Sequence, residues 1–212
     1  MTDPEHSVWD EPALSSQLAG EPAADALTHA GWVAEQWAQH EGRGSWRLTV
    51  GLALIAGPFA IAGALMGGSP SWFGLFLVVV LGPITEELLK VAGPLFFMEK
   101  KPWRFASRLQ IVLCAMAGGL VFAVIENLIY LEVYVDEPTP ELVAWRWSVC
   151  TALHVCCSAI AGIGVASAWR RAAEVKGLAK LQDAMPLLLT AMIVHGLYNL
   201  AAVVLSSLED AF

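Results

Sequence analysis

The stretch LVVVLGPITEELLKVAGPLFF, residues 77–97, decides the fold because it is an apolar run that contains two adjacent carboxylates, Glu86 and Glu87. Valine, leucine and isoleucine surround this pair on every side of a helix, so the run has no face for water. Placing one charge at the middle of a bilayer costs about 2.5–3.5 kcal/mol on insertion scales. The run, which also holds Lys90, therefore predicts a membrane span whose buried charges are used.

The composition predicts a polytopic membrane protein. The chain has 212 residues, of which 57% are hydrophobic and 15% are charged. Globular domains carry about 25% charged residues, and several runs here have the roughly 20 apolar residues that a helix needs to cross a bilayer. The net charge of −8 argues against a nucleic-acid partner. The lipid bilayer is the expected environment.

We expect an all-α polytopic transmembrane helical bundle of five spans. Residues 1–45 are predicted to form a cytosolic N-terminal extension, partly disordered, with a helix over residues 22–40 that lies on the membrane surface. Residues 46–208 form the transmembrane domain. The predicted spans are residues 46–66, 72–98, 108–134, 142–169 and 184–207.

Within span two, Gly82-Pro83 is the expected bend, because proline lacks a backbone donor and clashes with the preceding turn. A helix that restarts at Pro83 would place Glu86 and Glu87 near the positive end of a helix dipole. Basic residues lie before span one and in the loops that follow spans two and four. By the positive-inside rule, the N-terminus is cytosolic and the C-terminus lies outside.

Ionisable groups at membrane depth occur on four consecutive spans. At a rise of about 1.5 Å per residue, Glu86, His154 and His195 lie at similar depth, and Glu126 lies nearer the outer face. Four helices of a bundle can therefore bring these side chains to one buried polar pocket. The groups are Glu86, Glu87 and Lys90 on span two, Glu126 on span three, His154 on span four and His195 on span five.

A carboxylate beside histidines favours hydrolysis by an activated water molecule, with a histidine or an amide that stabilises the oxyanion. The alternative is a zinc site, although the His-Glu-x-x-His signature is absent. Asn199 shares a helix face with His195 and is expected to orient the imidazole or a substrate carbonyl. Lys90 is spaced to pair with Glu87. A non-catalytic scaffold or a proton-coupled carrier would use the same carboxylates, and this reading stays open.

Three motifs point to a known family. Residues 86–90 fit EExxK, residues 122–126 fit FxxxE, and residues 195–199 fit HxxxD/N, each inside a predicted span. His154 lies in the intervening helix, where the family also has a histidine. On these motifs, residues 72–205 resemble the PrsW intramembrane proteases, which are relatives of the CAAX-processing and bacteriocin-immunity membrane proteases.

The resemblance implies a membrane-embedded peptidase of the bacterial cell membrane. Its substrate would be a membrane protein with a transmembrane segment, such as an anti-sigma factor. If zinc takes part, the candidate ligands are Glu87, Glu126, His154 and His195; otherwise no cofactor is expected. The implied site has Glu86, Glu87, Glu126, His154 and His195 as catalytic residues, with Lys90, Phe122, Asn127 and Asn199 in support.

Overall fold

The computed structural model describes residues 29–40, 43–59 and 72–209. Within these ranges the regular secondary structure is helical and no strand occurs, so the predicted all-α helical bundle is confirmed. Several predictions fall outside the described residues. These are the disordered tail, the first part of the surface helix, the last part of span one and the turn that follows it.

Eight α-helices are described, and three short π-helical segments interrupt them. The α-helices are α1 (His29–His40), α2 (Trp46–Ala56), α3 (Trp72–Phe76), α4 (Gly82–Lys100), α5 (Arg108–Ile129), α6 (Pro140–Trp145), α7 (Thr151–Glu174) and α8 (Met185–Glu209). The π segments are π1 (Leu77–Leu81), π2 (Tyr130–Tyr134) and π3 (Arg146–Cys150).

Among the described residues, three helical runs are long and apolar enough to cross a membrane, and they correspond to predicted spans three, four and five. The shorter apolar run Trp46–Phe59 is the described part of span one. The run formed by α3, π1 and α4 carries the buried charges and is not among the three. The number of five spans stays a prediction. The three long runs are Arg108–Tyr134, Pro140–Glu174 and Met185–Ser207.

The helix does not restart at Pro83, so the condition for a dipole effect on Glu86 and Glu87 is not met. Segment π1 leads directly into α4, and the Gly82 N–H donates to Leu77 O across the wider turn. Leu81 and Gly82 both keep right-handed helical backbone angles. The extra residue in a π turn accommodates a proline without ending the helix. Glu86 and Glu87 therefore lie inside a continuous helical run rather than near a helix N-terminus.

Small residues allow α5 and α7 to pack closely at the centre of the bundle. A Cβ atom added to Gly119 would lie 2.7 Å from Ser158 Cβ and 2.9 Å from His154 O. Gly162 likewise packs directly on Ala115. This close approach fixes the depth of His154 relative to α5, which carries Glu126.

Helix α1 packs against loops on the side of the bundle predicted to be cytosolic. Val33 and Trp37 are buried, and Trp37 Nε1 donates a hydrogen bond of 2.9 Å to Gly177 O. The Trp32 ring meets the Trp103 ring edge-on at 5.6 Å between centroids. The division of the chain near residue 45 stays a prediction.

Candidate active site

Glu87 is fully buried and joins α4 to α8. Its Oε1 atom accepts one hydrogen bond from Lys90 Nζ at 2.7 Å and another from His195 Nδ1 at 2.8 Å. An ionised carboxylate only accepts hydrogen bonds, so Nδ1 of His195 carries the proton. In the neutral ring, the lone pair then lies on Nε2, on the opposite side of the imidazole.

His154 links Lys90 to Glu126. Lys90 Nζ lies 2.6 Å from His154 Nδ1, and His154 Nε2 lies 2.6 Å from Glu126 Oε2. An ammonium group only donates, so Nδ1 accepts and Nε2 carries the proton that goes to Glu126. The Phe122 ring covers the other side of this chain, 4.5 Å from Lys90 Nζ and 5.5 Å from the His154 ring.

Glu86 has an oxygen without a hydrogen bond, whereas Glu87 accepts two hydrogen bonds through Oε1. The Glu86 Oε2 atom is buried without a hydrogen-bond partner, 3.8 Å from His195 Nε2 and 3.8 Å from Lys90 Nζ. The Glu86 side chain is 7% exposed. Two lone pairs, one on Glu86 and one on His195, therefore face the same small space.

Arg146 joins the cluster, and the sequence reasoning missed it. Its Nη2 atom lies 3.5 Å from Glu126 Oε2, and its guanidinium lies 4.3 Å from the Tyr130 ring centroid. A signal was present in the sequence. Arg146 is a basic residue near the end of span four predicted to be outer, where the positive-inside rule does not favour one.

The structure thus brings all five predicted catalytic side chains, with Lys90, into one cluster contributed by α4, α5, α7 and α8. The model of the PrsW family intramembrane metalloproteases matches residues 44–211 of the chain. The chain belongs to this family. It is accordingly a membrane-embedded peptidase. Among curated proteins and solved structures, no significant match was found.

The cluster of catalytic side chains in this PrsW protease contains a group that can hold a metal ion. One ligand atom each from Glu86, His154 and His195 lies within 4.8 Å of the others. Glu86 Oε2 and His195 Nε2 are open, and Glu87 holds the other nitrogen of His195 as carboxylates commonly hold ligating histidines. His154 can serve as the third ligand only when Lys90 or Glu126 releases one of its ring nitrogens. Glu86 and His195 therefore offer two free ligand atoms suited to zinc, and a third comes from His154 only after one of its ring nitrogens is released.

The two supporting asparagines contact backbone carbonyls of neighbouring helices. Asn199 Nδ2 donates to Val78 O at 2.9 Å. Asn127 Nδ2 donates to Arg146 O at 3.0 Å and lies 3.0 Å from Thr151 Oγ1. Both acceptor carbonyls belong to π segments, so each asparagine joins a helix of the site to the irregular part of another.

Proposed function

We propose that this PrsW protease hydrolyses peptide bonds of single-span membrane proteins, with Glu86 as the carboxylate that activates water. The proposal rests on two neighbouring atoms whose lone pairs accept no hydrogen bond. They are Glu86 Oε2 and His195 Nε2, which lie 3.8 Å apart. One water molecule within hydrogen-bond reach of both atoms can transfer a proton to Glu86 as it attacks the peptide carbonyl. Glu86 then passes that proton to the departing amine.

The two adjacent glutamates have different roles in this proposal. Successive side chains of a helix point about 100° apart, so both cannot face the same water molecule. Glu87 is bound by Lys90 and His195 and holds the imidazole in one tautomer. Glu126 holds His154 in the same way from the opposite side of the cluster. Lys90 balances the negative charge that the carboxylates bring into the membrane.

In a zinc-bound form, Glu86, His154 and His195 would hold the ion, and Glu86 would then be a ligand instead of the base. The ion would lower the pKa of a bound water molecule and polarise the scissile carbonyl. The geometry favours Glu86 over Glu87 as a ligand, because Glu87 already carries two hydrogen bonds through Oε1. It also favours Glu126 as the residue behind His154. The ligand set expected from the sequence, with Glu87 and Glu126, stays a prediction.

The substrate class is a membrane protein of the same bilayer, and an anti-sigma factor in a bacterial cell membrane is the proposed example. The proposed orientation puts the N-terminus in the cytosol and the C-terminus outside. Glu126 is 17% exposed at its side chain and Glu86 is 7% exposed. This gradient supports entry of the substrate from the side of Glu126, which is the outer half of the membrane in that orientation.

The test is cleavage by the purified protein in liposomes that contain a panel of single-span proteins with different transmembrane sequences. We expect wild type to cleave one or more of them and His195→Gln to cleave none. Glu99→Gln, which changes an exposed glutamate outside the site, is the control and should cleave as wild type does. A chelator separates the two roles of Glu86: loss of cleavage that added Zn²⁺ restores would assign Glu86 as a zinc ligand, and continued cleavage would support Glu86 as the base. Equal cleavage by wild type and His195→Gln would contradict the proposed site, and resistance to chelator would contradict only the role of zinc.

A further inference from the structure

We infer that Asn199 is a positioning residue, which acts by capping a backbone carbonyl that Pro83 leaves without a donor in the helix that carries Glu86. The inference rests on the proposed function, because it explains how the separation between Glu86 and His195 is set. It assigns Asn199 a task other than direct contact with the imidazole or the substrate.

The π turn shifts the backbone hydrogen bonds before Pro83 from an i→i−4 to an i→i−5 register. The Gly82 N–H is directed to Leu77 O. The next residue is Pro83, which has no N–H, so Val78 O receives no donor from the turn that follows it. Backbone groups at membrane depth must find partners within the protein. Asn199 Nδ2 supplies that partner from α8 at 2.9 Å.

Gly196 makes this contact possible. A Cβ atom at residue 196 would lie 2.5 Å from Val79 O, so only glycine lets α8 approach π1 this closely. One turn of α8 therefore makes three contacts with one helical run, through His195 to Glu87, Gly196 at Val79 O and Asn199 to Val78 O. These contacts fix the height and rotation of His195 relative to Glu86.

The amide chemistry explains why asparagine suits position 199 in this chain. An amide nitrogen donates a hydrogen bond to a carbonyl, whereas an ionised carboxylate only accepts. Asn127 makes the same kind of contact on another pair of helices, with Arg146 O in π3 as the acceptor. That carbonyl also receives the Thr151 N–H, and no proline follows it. Asn127 is therefore a matched control that does not depend on Pro83.

The experiment is a double-mutant cycle between Asn199 and Pro83. Asn199→Leu keeps the size of the side chain and removes the donor, and Pro83→Ala supplies a new N–H to the orphaned carbonyl. The readouts on purified protein in detergent are the thermal midpoint and the dissociation constant for Zn²⁺ alone. We expect Asn199→Leu to weaken Zn²⁺ binding about 10-fold, the lower end of the loss for groups that contact a metal ligand directly, because Asn199 acts on His195 only through the position of α8. In the double variant, the thermal midpoint and the Zn²⁺ dissociation constant should return towards the values of Pro83→Ala.

The control separates this coupling from general loosening. Asn127→Leu should also lower the thermal midpoint, but Pro83→Ala should not restore it. Independent effects of Pro83→Ala and Asn199→Leu on both readouts would overturn the inference. If wild type binds no Zn²⁺, the zinc part of the proposed function fails, and the coupling in thermal midpoint still decides the role of Asn199.

A second measurement covers the case in which Pro83→Ala does not fold. Infrared difference spectra of protein with isotope-labelled valine carbonyls report directly on hydrogen bonds to those groups. Asn199→Leu should shift one valine carbonyl to the frequency of a weaker hydrogen bond, and Asn127→Leu should shift none, since its acceptor is Arg146 O. An unchanged valine spectrum in Asn199→Leu would overturn the inference.

Discussion

Two buried polar clusters lie in the same bundle and differ in how completely their atoms are paired. At the end predicted to be cytosolic, Gln110 Oε1 accepts from the Ala106 N–H at 2.7 Å, and Nε2 donates to Thr49 Oγ1 at 2.8 Å and to Ser45 O at 3.2 Å. The cluster around Glu86 contains charged groups and leaves Glu86 Oε2 and Glu87 Oε2 without partners. Both clusters join helices, but only one has unused bonding capacity.

The comparison separates a structural cluster from a reactive one. Buried polar groups without partners are costly, so a native protein keeps few of them, and a group of them in one place calls for an explanation. The Gln110 cluster is neutral, and its hydrogen bonds have a structural role because they connect α2 to α5. The Glu86 cluster holds uncommitted lone pairs, which is the property that water activation or metal binding requires.

The largest expected effect comes from breaking the charged cluster at its most buried member. Glu87→Leu removes the main partner of Lys90, whose ammonium is fully buried. A buried charge left without its partner destabilises a protein by about 3–5 kcal/mol. Denaturant unfolding in micelles should show this loss, together with loss of cleavage. An unfolding free energy equal to that of wild type would show that the buried charge of Lys90 does not need Glu87 as its partner.

A smaller effect is expected from altering the packing beneath the site. Gly119→Ala forces a methyl group against Ser158 and the His154 carbonyl, and such overpacking costs about 1–3 kcal/mol. Because His154 belongs to the site, cleavage should fall as well. Gly51→Ala is the control, since a Cβ atom at Gly51 meets nothing within 4 Å. A lower unfolding free energy in the control as well would mean that the effect is not one of packing.

The neutral cluster should affect stability without affecting chemistry. Gln110→Leu leaves the Ala106 N–H and Thr49 without their partner, which should cost about 1–3 kcal/mol. At a temperature where the variant is folded, its rate of cleavage per molecule should equal that of wild type. A changed rate would mean that the Gln110 cluster communicates with the site, and the contrast between the clusters would not hold.

The smallest effect is expected at α1. Trp37→Phe removes the hydrogen bond to Gly177 O and trims the buried ring that packs against Trp169 and under Lys176 Nζ. A single neutral hydrogen bond contributes about 0.5–1.5 kcal/mol. The thermal midpoint should fall slightly while cleavage is unchanged. A large loss of cleavage would show that α1 acts on the site.

Much of the site was predictable from the sequence because depth in a membrane follows from helical rise. Glu86, His154 and His195 were expected at one level, and the structure brings them together. The division of labour between Glu86 and Glu87 was not predictable. It depends on the rotation of α4 against α8, which packing sets and periodicity does not reveal.

The irregular parts of the fold were not predictable for a related reason. Helical periodicity in the sequence predicts 3.6 residues per turn, whereas π1 and π3 each shift the side chains of the following α-helix by part of a turn. Proline signalled irregularity at Pro83 but did not reveal whether the helix would break or widen. The contacts of Asn127 and Asn199 with π-segment carbonyls follow from that widening, so they also escaped prediction.

The central claim is that Glu86 is kept reactive, because its Oε2 atom has no hydrogen-bond partner and lies 3.8 Å from Lys90 Nζ, whereas Glu87 lies at 2.7 Å. Glu86→Gln tests it most directly, with the cleavage rate in liposomes and the unfolding free energy measured on the same preparation. We expect the rate to fall by at least about 100-fold, as loss of a general base requires. The unfolding free energy should fall far less than in Glu87→Leu, because Lys90 keeps its 2.7 Å contact with Glu87. A cleavage rate close to that of wild type would contradict the claim.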